Sequence, residues 1–340
     1  MAEDDRGRTC AHIAGSRGYL EVLKYLHEAC GPDLLLRIDQ HGASCAHEAS
    51  SAGHVEIVKY LREVCGKEVL LLKAPNGSTC ALLASLRGHL ELVQLIENTC
   101  GMDALRQKDE EGKTCAHMAS MGGHVEVLRY LEGTCGQELS LSRVGNGLTC
   151  AMLASSGGRV EVLRYLKDTH ELLMEQNLVG ETCAHAATSA GHLTTMTYLE
   201  QACGPEIFQL PDHQGRTCAH IASAEGHVEI VRLLREAGGQ ELLEQVDKEG
   251  KSAGHYASMQ GHLDVVKYLG DSGGKELLML KDAYGRTNAH LASVGGHVEV
   301  LRYLKEACGQ ALLLEVTEKG KTCAHFASVG GHGDVIEYLV

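Results

Sequence analysis

A block that reads T-C-A-H-x-A-S-x-x-G-H-x-E-V-x-x-Y-L recurs ten times along this chain of 340 residues. Successive copies lie 35 residues apart, except for one interval of 33. Self-similarity at this period is typical of solenoid proteins, in which each repeat buries its apolar face only by stacking on its neighbours. The second letter of the block falls at Cys10, Cys45, Cys80, Cys115, Cys150, Cys183, Cys218, Ala253, Asn288 and Cys323.

The repeats account for essentially the whole chain, so the sequence predicts one solenoid domain over residues 1–340. No unassigned stretch remains for a separate catalytic domain. The predicted repeats, numbered 1 to 10, span residues 1–36, 37–71, 72–106, 107–141, 142–174, 175–209, 210–244, 245–279, 280–314 and 315–340, the last being truncated.

Charge and hydropathy narrow the class of partners. The net charge of -14 is spread over every repeat, whereas nucleic-acid-binding proteins usually carry a basic stripe, so no nucleic-acid partner is expected. No apolar run approaches the ~18 residues that cross a bilayer, and membrane insertion is not expected. The acidic start lacks the apolar region of a secretory signal. We therefore expect a cytoplasmic location, with the nucleus as the alternative.

Each repeat predicts a short first helix that we call helix 1. A Thr such as Thr9 or Thr114 is a preferred N-cap, and three residues later a His stands where the Glu of a capping box would reach back to the cap. The helix is rich in Ala and is predicted to end at a Gly such as Gly53, Gly123 or Gly226. The repeated His is therefore interpreted as a structural brace.

A second helix, helix 2, is predicted to follow directly. In repeat 4, Val125, Leu128 and Leu131 recur at a spacing of three and are expected on one buried stripe, and the helix is expected to end near Cys135. A Leu-rich segment then leads to a loop in which Asp opens, and Gly closes, a four-residue turn. These loops lie at 39–42, 109–112, 212–215, 247–250 and 282–285.

The repeats resemble those of the ankyrin repeat family, whose first helix reads T-P-L-H-x-A-A and whose second follows a G-H-x-E-V pattern. Here T-C-A-H-x-A-S replaces the first motif, and residues 123–127 match the second. The resemblance implies an all-α, ankyrin-like α-solenoid with projecting loops or short hairpins. The family's usual hairpin entry is missing, so a short helical turn over Leu70 to Leu72 or Leu277 to Leu280 is the alternative to a regular hairpin.

Fourteen cysteines and twenty histidines raise the questions of metal binding and catalysis. Residues two apart on a helix, such as Cys115 and His117, point about 200 degrees apart, so they cannot close on one metal ion or form a nucleophilic dyad. We therefore predict no metal, no cofactor and no enzymatic activity. The thiols are expected to be reduced and packed; reactive thiols with a pKa lowered by a helix N-terminus are the alternative.

Residues that differ between repeats are the candidates for recognition. In ankyrin-like proteins, partners usually bind a concave face made of loop tips and helix 1. There Leu86, Met121, Met259, Val294 and Val329 are apolar where solvent is expected; scattered surface apolar residues are the alternative reading. The predicted partner-binding residues are Arg17, His41, Asn76, Leu86, Arg87, Glu110, Glu111, Met121, Asn146, Arg159, His213, Glu225, Met259, Tyr284 and Val294.

Repeats 3 and 5 depart most from the pattern. Both replace the brace His, by Leu82 and Met152, and both lose the loop Asp, at Ala74 and Val144. We infer that the loop Asp and the His are physically linked, although repeat 10 keeps its His without the Asp. These departures favour repeats 3 to 6 as the recognition centre; sequence drift in these repeats is the alternative.

The sequence therefore predicts a non-enzymatic scaffold that binds a protein partner. One alternative is a regulatory or substrate-recruiting arm of a larger enzyme or channel, because the chain stops within helix 2 of repeat 10 and Val335, Ile336 and Leu339 have no visible cover. A weaker alternative is a redox-responsive, cysteine-rich solenoid. A monomer is expected unless the uncovered last repeat self-associates.

Overall fold

The computed structural model describes residues 3–170 and 172–340. Contacts divide the chain into two compact units, Met1–Leu172 and Leu173–Val340, which we call the first half and the second half. Both halves consist of helix-turn-helix repeats, and the predicted all-α, ankyrin-like solenoid fold is confirmed. None of the described helices is both long and apolar enough to span a membrane. Whether the ten repeats act as one domain stays a prediction.

Helix 1 forms because its two ends are well capped. In eight repeats, Thr or Ser accepts the N3 amide while the N3 His accepts the cap amide, as the sequence predicted. Most of these helices end at a left-handed Gly such as Gly53 (φ 84°). The ten helices are Cys10–Arg17, Cys45–Ala52, Cys80–Arg87, Cys115–Gly122, Cys150–Ser156, Cys183–Ser189, Cys218–Ala224, Ala253–Gln260, Asn288–Gly295 and Cys323–Gly330.

Helix 2 is longer and strongly amphipathic. In repeat 4, Val127, Leu128 and Leu131 are buried, whereas Val125 is only half-buried, so the predicted stripe was wrong at its first position. The buried stripe begins two residues later because Val125 is in the first turn, at the rim of the packed face. The helices are Leu20–Cys30, Val55–Cys65, Leu90–Cys100, Val125–Cys135, Val160–His170, Leu193–Cys203, Val228–Glu244, Leu263–Leu278, Val298–Cys308 and Gly333–Leu339.

A short helical turn follows helix 2, and no described repeat has a regular hairpin. The turn in repeat 2 covers Lys67–Leu70, three residues earlier than expected. In repeats 7 and 8 the turn is continuous with helix 2 across a non-helical Gly, Gly239 or Gly274. In the described residues the loops form only isolated bridges, such as Ile38 with Ser44. The other turns are Pro32–Leu34, Met102–Leu105, Glu138–Leu141, Leu172–Met174, Pro205–Phe208 and Ala311–Leu314.

Neighbouring copies of helix 1 pack very closely within each half. A Cβ atom on Gly122 would lie 2.2 Å from the carbonyl oxygen of Leu86 in the preceding repeat, and one on Gly295 would lie 2.5 Å from that of Met259. Ala116 and Ala119 are fully buried at the same interface. The small residues of helix 1 are therefore needed for backbone approach, and the apolar core comes mainly from helix 2 and the short turn.

The apolar residues of helix 2 in repeat 10, which were expected to be uncovered, are at least half-buried. Val335 is fully buried, and Ile336 and Leu339 are half-buried, because helix 2 packs on helix 2 of repeat 9 and on its own helix 1. The solvent-exposed side is instead helix 1, where Val329 is 77% exposed and His325 is also exposed.

Candidate protein-binding surface

The brace His of helix 1 also holds the next repeat. In repeat 1, the backbone amide of Thr9 donates to His12 Nδ1 over 3.1 Å. An amide can only donate, so Nδ1 is unprotonated and Nε2 carries the hydrogen. His12 Nε2 donates to the carbonyl oxygen of Ala43, 31 residues further on, over 2.9 Å. We call this second bond the forward clamp.

The loop Asp selects the carbonyl that the forward clamp reaches. Where the next loop has Asp, the His bonds to the residue 31 positions on: Ala43, Arg216, Lys251 or Arg286. Where that Asp is absent, the His bonds 25 positions on: Leu72, Ser142 or Glu315. His47 reaches both positions, with Ser78 as its second acceptor at 3.3 Å.

The predicted link between Asp and His exists, but it joins neighbouring repeats. Asp39 Oδ1 accepts the amide of Ala43 over 2.9 Å, and the carbonyl of the same Ala43 accepts His12 from the preceding repeat. A repeat that has lost both its loop Asp and its His has therefore not lost a contact between the two, because the Asp of each repeat is linked to the His of the preceding repeat. Instead, Leu82 in repeat 3 has no Nε2–H to donate to the loop of repeat 4.

A second His, at the start of helix 2, bonds in the opposite direction. His54 Nε2 donates to the carbonyl oxygen of Ser16, 38 residues earlier, over 3.1 Å. Arg159, which replaces this His in repeat 5, donates its Nε to Met121 over 3.1 Å. We call these bonds the backward clamps. Further backward clamps join His89 to Ser51, His124 to Leu86, His227 to Ser189, His262 to Ala224, His297 to Met259 and His332 to Val294.

Backbone bonds also connect neighbouring loop tips. In the first half, Gln40 donates its amide to Arg6 and Glu110 donates to Asn76. In the second half, His213 donates to Val179, and the loops of repeats 8 and 9 continue this pattern. These tips are therefore held at a fixed spacing from the previous one, with their side chains free to point into solvent.

Comparison with protein-family models identifies these repeats. One model, of ankyrin repeats in three copies, matches residues 1–72 and 200–279. A second, of ankyrin repeats in many copies, matches residues 76–132 and 254–305. The chain belongs to the ankyrin repeat family. Its repeats are those of a family of protein-protein interaction modules, typically without enzymatic activity. No curated protein matches the chain.

Most of the predicted binding residues of this ankyrin repeat protein are exposed. They lie at loop tips and at the C-terminal end of helix 1, and we call this set of positions the front face. The structure places the predicted residues of each half on its own front face. The exposed members are Arg17, His41, Asn76, Arg87, Glu110, Glu111, Asn146 and Arg159 in the first half, and His213, Glu225 and Tyr284 in the second.

Four apolar residues predicted to contact a partner are partly covered by the next repeat. Leu86, Met121, Met259 and Val294 are only partly exposed, because the next ankyrin repeat packs over them and its backward clamp takes their carbonyl oxygens. The apolar contact strip through these residues stays a prediction. Val329, at the same position in repeat 10, is 77% exposed.

The loop tip of repeat 6 is apolar and exposed, and it was not predicted from the sequence. Leu178 is 69% exposed and Val179 is 42% exposed, in the loop of repeat 6. Asn177 replaces the usual Asp there, and its Oδ1 accepts the amides of Val179 and Glu181. The available signal was an apolar pair at two positions that are polar in most of the other ankyrin loops.

Four buried cysteines of helix 1 have a raised thiol pKa despite their position at the helix N-terminus. Burial raises the pKa of the Cys115, Cys150 and Cys218 thiols to about 12, and that of Cys80 to about 11. At these positions, desolvation of the thiolate outweighs the hydrogen bonds that lower the pKa, the largest of which involves a Ser or Thr side chain of the preceding repeat. These four thiols therefore do not support the alternative of reactive thiols. In the described residues, no group of three His, Cys, Asp or Glu side chains is placed to hold a metal ion.

Proposed function

We propose that this ankyrin repeat protein is a non-enzymatic scaffold that binds a protein partner through its front face. One observation carries the proposal. The repeated histidines and backbone groups are engaged in clamps between neighbours, whereas the exposed front-face side chains differ from one repeat to the next. A constant frame with variable exposed positions suits recognition of a partner, because specificity resides in the variable side chains.

We place the recognition centre in repeats 3 to 5 of the first half. Leu82 cannot clamp the loop of repeat 4, and that loop presents Glu110 and Glu111, both exposed. Arg87 is exposed at the end of helix 1 in repeat 3. Exposed charges on neighbouring elements give specificity for a partner of complementary charge. Repeat 6, in the second half, is a separate contact candidate through Leu178.

The expected location is the cytoplasm, with the nucleus as the alternative. Support comes from the fourteen cysteines of the sequence, since reduced thiols in such numbers suit a reducing compartment. We expect a monomer that binds neither nucleic acid nor membranes and needs no cofactor.

Site-specific photocrosslinking tests the location of the site. A photoreactive amino acid replaces Glu110 on the front face or, as the control, Glu91 on the exposed side of helix 2. After irradiation in the native cell extract, mass spectrometry identifies proteins captured only from position 110. The identified partner is then purified and its dissociation constant measured by calorimetry.

Two matched variants complete the test. Arg87→Ala/Glu110→Ala/Glu111→Ala removes one Arg and two Glu from the front face, and Arg62→Ala/Glu63→Ala/Glu91→Ala removes the same types from helix 2. We expect the first to weaken binding about tenfold or more and the second to leave it unchanged. Equal loss in both variants, or preferential capture from position 91, would contradict the proposed site.

A further inference from the structure

Four loops in the second half carry a cation at the same position. In repeats 7, 8 and 9 a carboxylate of the same loop pairs with it. Arg216 contacts Asp212 at 2.7 Å, Lys251 contacts Glu249 at 2.7 Å, and Arg286 contacts Asp282 at 2.6 Å. Lys321 is the fourth cation, in repeat 10.

Repeat 10 keeps the cation and has lost the Asp. Thr317 replaces it, and Thr317 Oγ1 accepts the backbone amide of Lys321 over 3.1 Å, as Asp does in the other loops. A hydroxyl can replace the carboxylate as an acceptor but carries no charge. Lys319 and Lys321 are both exposed, and neither has a carboxylate oxygen within 4.0 Å in the part of the chain that the structure describes.

These lysines border a small cavity between the loops of repeats 9 and 10. Its volume is about 140 Å³, and its lining includes the rings of Tyr284 and Phe326. Tyr284 is 50% exposed, and its ring centre lies 4.8 Å from Arg286 Cζ. We call Tyr284, Arg286, Lys319, Lys321 and Phe326 the basic aromatic pocket.

The lining has an excess of positive charge. The lining holds three cations, Arg286, Lys319 and Lys321, and one carboxylate, Glu318. A further carboxylate, Asp282, pairs with Arg286 only. Arg286 Nη2 is buried and makes no hydrogen bond to any described residue, and Glu249 Oε2 lies 3.9 Å from it. An anionic group in the cavity would therefore meet two unpaired ammonium groups beside two aromatic rings.

We propose that the basic aromatic pocket binds an acidic peptide segment of a protein partner. A Glu or Asp side chain lies between Lys319 and Lys321, and a neighbouring aliphatic side chain packs on the rings of Tyr284 and Phe326. A polyanion such as nucleic acid fits less well, because Glu318 and the overall charge of -14 repel it. The inference rests on the proposed role in protein binding but not on repeats 3 to 5.

Fluorescence anisotropy of a defined peptide tests the pocket. The full chain is titrated into a fluorescein-labelled peptide of alternating Glu and Leu, and separately into the neutral peptide of alternating Gln and Leu. We expect the acidic peptide to bind more tightly than the neutral one, and its affinity to fall with added salt, because exposed charges are screened.

Three variants locate the binding. Lys319→Gln/Lys321→Gln removes both unpaired cations and is expected to weaken the acidic peptide about tenfold. Thr317→Asp keeps both lysines but restores the carboxylate found in repeats 7 to 9, and is expected to weaken binding by neutralising Lys321. The control, Lys248→Gln/Lys251→Gln, removes two lysines from the loop of repeat 8 and should leave the affinity unchanged.

Other results would overturn the proposal. These are equal binding of both peptides, no loss of acidic-peptide binding in Lys319→Gln/Lys321→Gln, or equal loss in the repeat 8 control. Lysine-dependent binding of tripolyphosphate or phosphatidylserine vesicles without peptide binding would assign the pocket to phosphate groups instead. The peptide assay does not use the partner captured from position 110. A failed peptide assay therefore leaves the proposed site in repeats 3 to 5 unaffected, and failed photocrosslinking leaves the basic aromatic pocket unaffected.

Discussion

His12 donates its Nε2–H to the carbonyl oxygen of Ala43, 31 residues further along the chain, over 2.9 Å. The same His accepts the amide of its own N-cap residue, so one imidazole ring satisfies a helix end and a loop of the next repeat. Side chains that join neighbours in this way couple the folding of one repeat to the next. The strength of that coupling can be measured.

Removing a forward clamp should destabilise the protein. His117→Leu copies the residue found naturally at Leu82, so its size is tolerated in this fold, but it leaves the carbonyl of Ser142 and the amide of Thr114 without their partner. We expect a loss of about 1–3 kcal/mol in the free energy of unfolding, measured by urea denaturation. His41→Leu, at an exposed loop tip, is the control and should change stability little. Equal effects of the two would contradict the clamp.

Mild acid should weaken the fold. Burial lowers the pKa of His117 and of His220 to about 4, against 6.5 for the free side chain, and also lowers that of His47, His185 and His255. Between these values the unfolded chain binds more protons than the folded one, so stability present above pH 6.5 is lost as the pH falls towards 4.

The size of the acid effect tests its origin. A His pKa lowered from 6.5 to about 4 corresponds to a loss of about 3 kcal/mol in the free energy of unfolding at the acid end, for each of His117 and His220. Urea denaturation at a series of pH values should show a flatter dependence for His117→Leu/His220→Leu than for the unmodified chain. The same slope in both would assign the acid effect to other groups.

Arg159 should be replaceable by His without loss of stability. Its Nε donates to Met121 as the His Nε2 does in other repeats, while the rest of the guanidinium is exposed. Arg159→Ala should lose about 1 kcal/mol, because the carbonyl of Met121 loses its partner. Arg159→His should restore the thermal midpoint of the unmodified chain. A midpoint for Arg159→His as low as that of Arg159→Ala would contradict the backward clamp in repeat 5.

Asn288 should be a weak point of the second half. It is fully buried, and its amide nitrogen and oxygen make no hydrogen bond to any described residue. Restoring the Cys of other repeats in Asn288→Cys should stabilise the protein by about 1–3 kcal/mol in chemical denaturation. A loss of stability would show that the amide has partners in solution.

Gly254 provides a control for the Asn288 substitution. A Cβ atom on Gly254 would lie 2.8 Å from Asn288 Nδ2, so the side chain of Asn288 fits only because residue 254 is Gly. Gly254→Ala should not stabilise the unmodified chain, but it should stabilise Asn288→Cys by about 0.5–1 kcal/mol, the ordinary gain of Ala over Gly in a helix. Additive effects of the two substitutions would contradict this match.

Most thiols should be unreactive in the folded protein. Cys30 is exposed, whereas Cys115, Cys150 and Cys218 are buried with a raised pKa. With a chromogenic disulfide reagent at neutral pH, the helix 1 thiols should react only after denaturant is added. Cys30→Ser should remove a rapidly reacting thiol. Several fast thiols among the helix 1 cysteines would revive the redox-responsive alternative.

The sequence predicted the elements well because their signals are local. Thr114 and His117 are three residues apart, and both the cap and its brace follow from that spacing. The partners of the clamps could not be predicted in this way, since Ser142 and Leu86 contribute backbone carbonyls, which every residue possesses. Their selection depends on how far one repeat is rotated and shifted against the next.

Stacking of the repeats changes the exposure of the candidate site residues. Met121 and Val294 stand at positions that would be exposed in a single repeat, and only the stacked neighbour covers them. In the basic aromatic pocket, Thr317 and Lys321 are ordinary loop residues until the structure shows that a cation has lost its carboxylate. Such comparisons need the same position to be followed through several folded repeats.

The two clamps bear on how the number of repeats in such a chain can change. Repeats 2, 4, 7, 8 and 9 each carry a donor to the following neighbour and a donor to the preceding one, at offsets that a whole 35-residue segment preserves. Duplication or removal of a complete segment would therefore regenerate both bonds at the new junction. Copy number can change by whole repeats, while most insertions within a repeat would break the register on both sides.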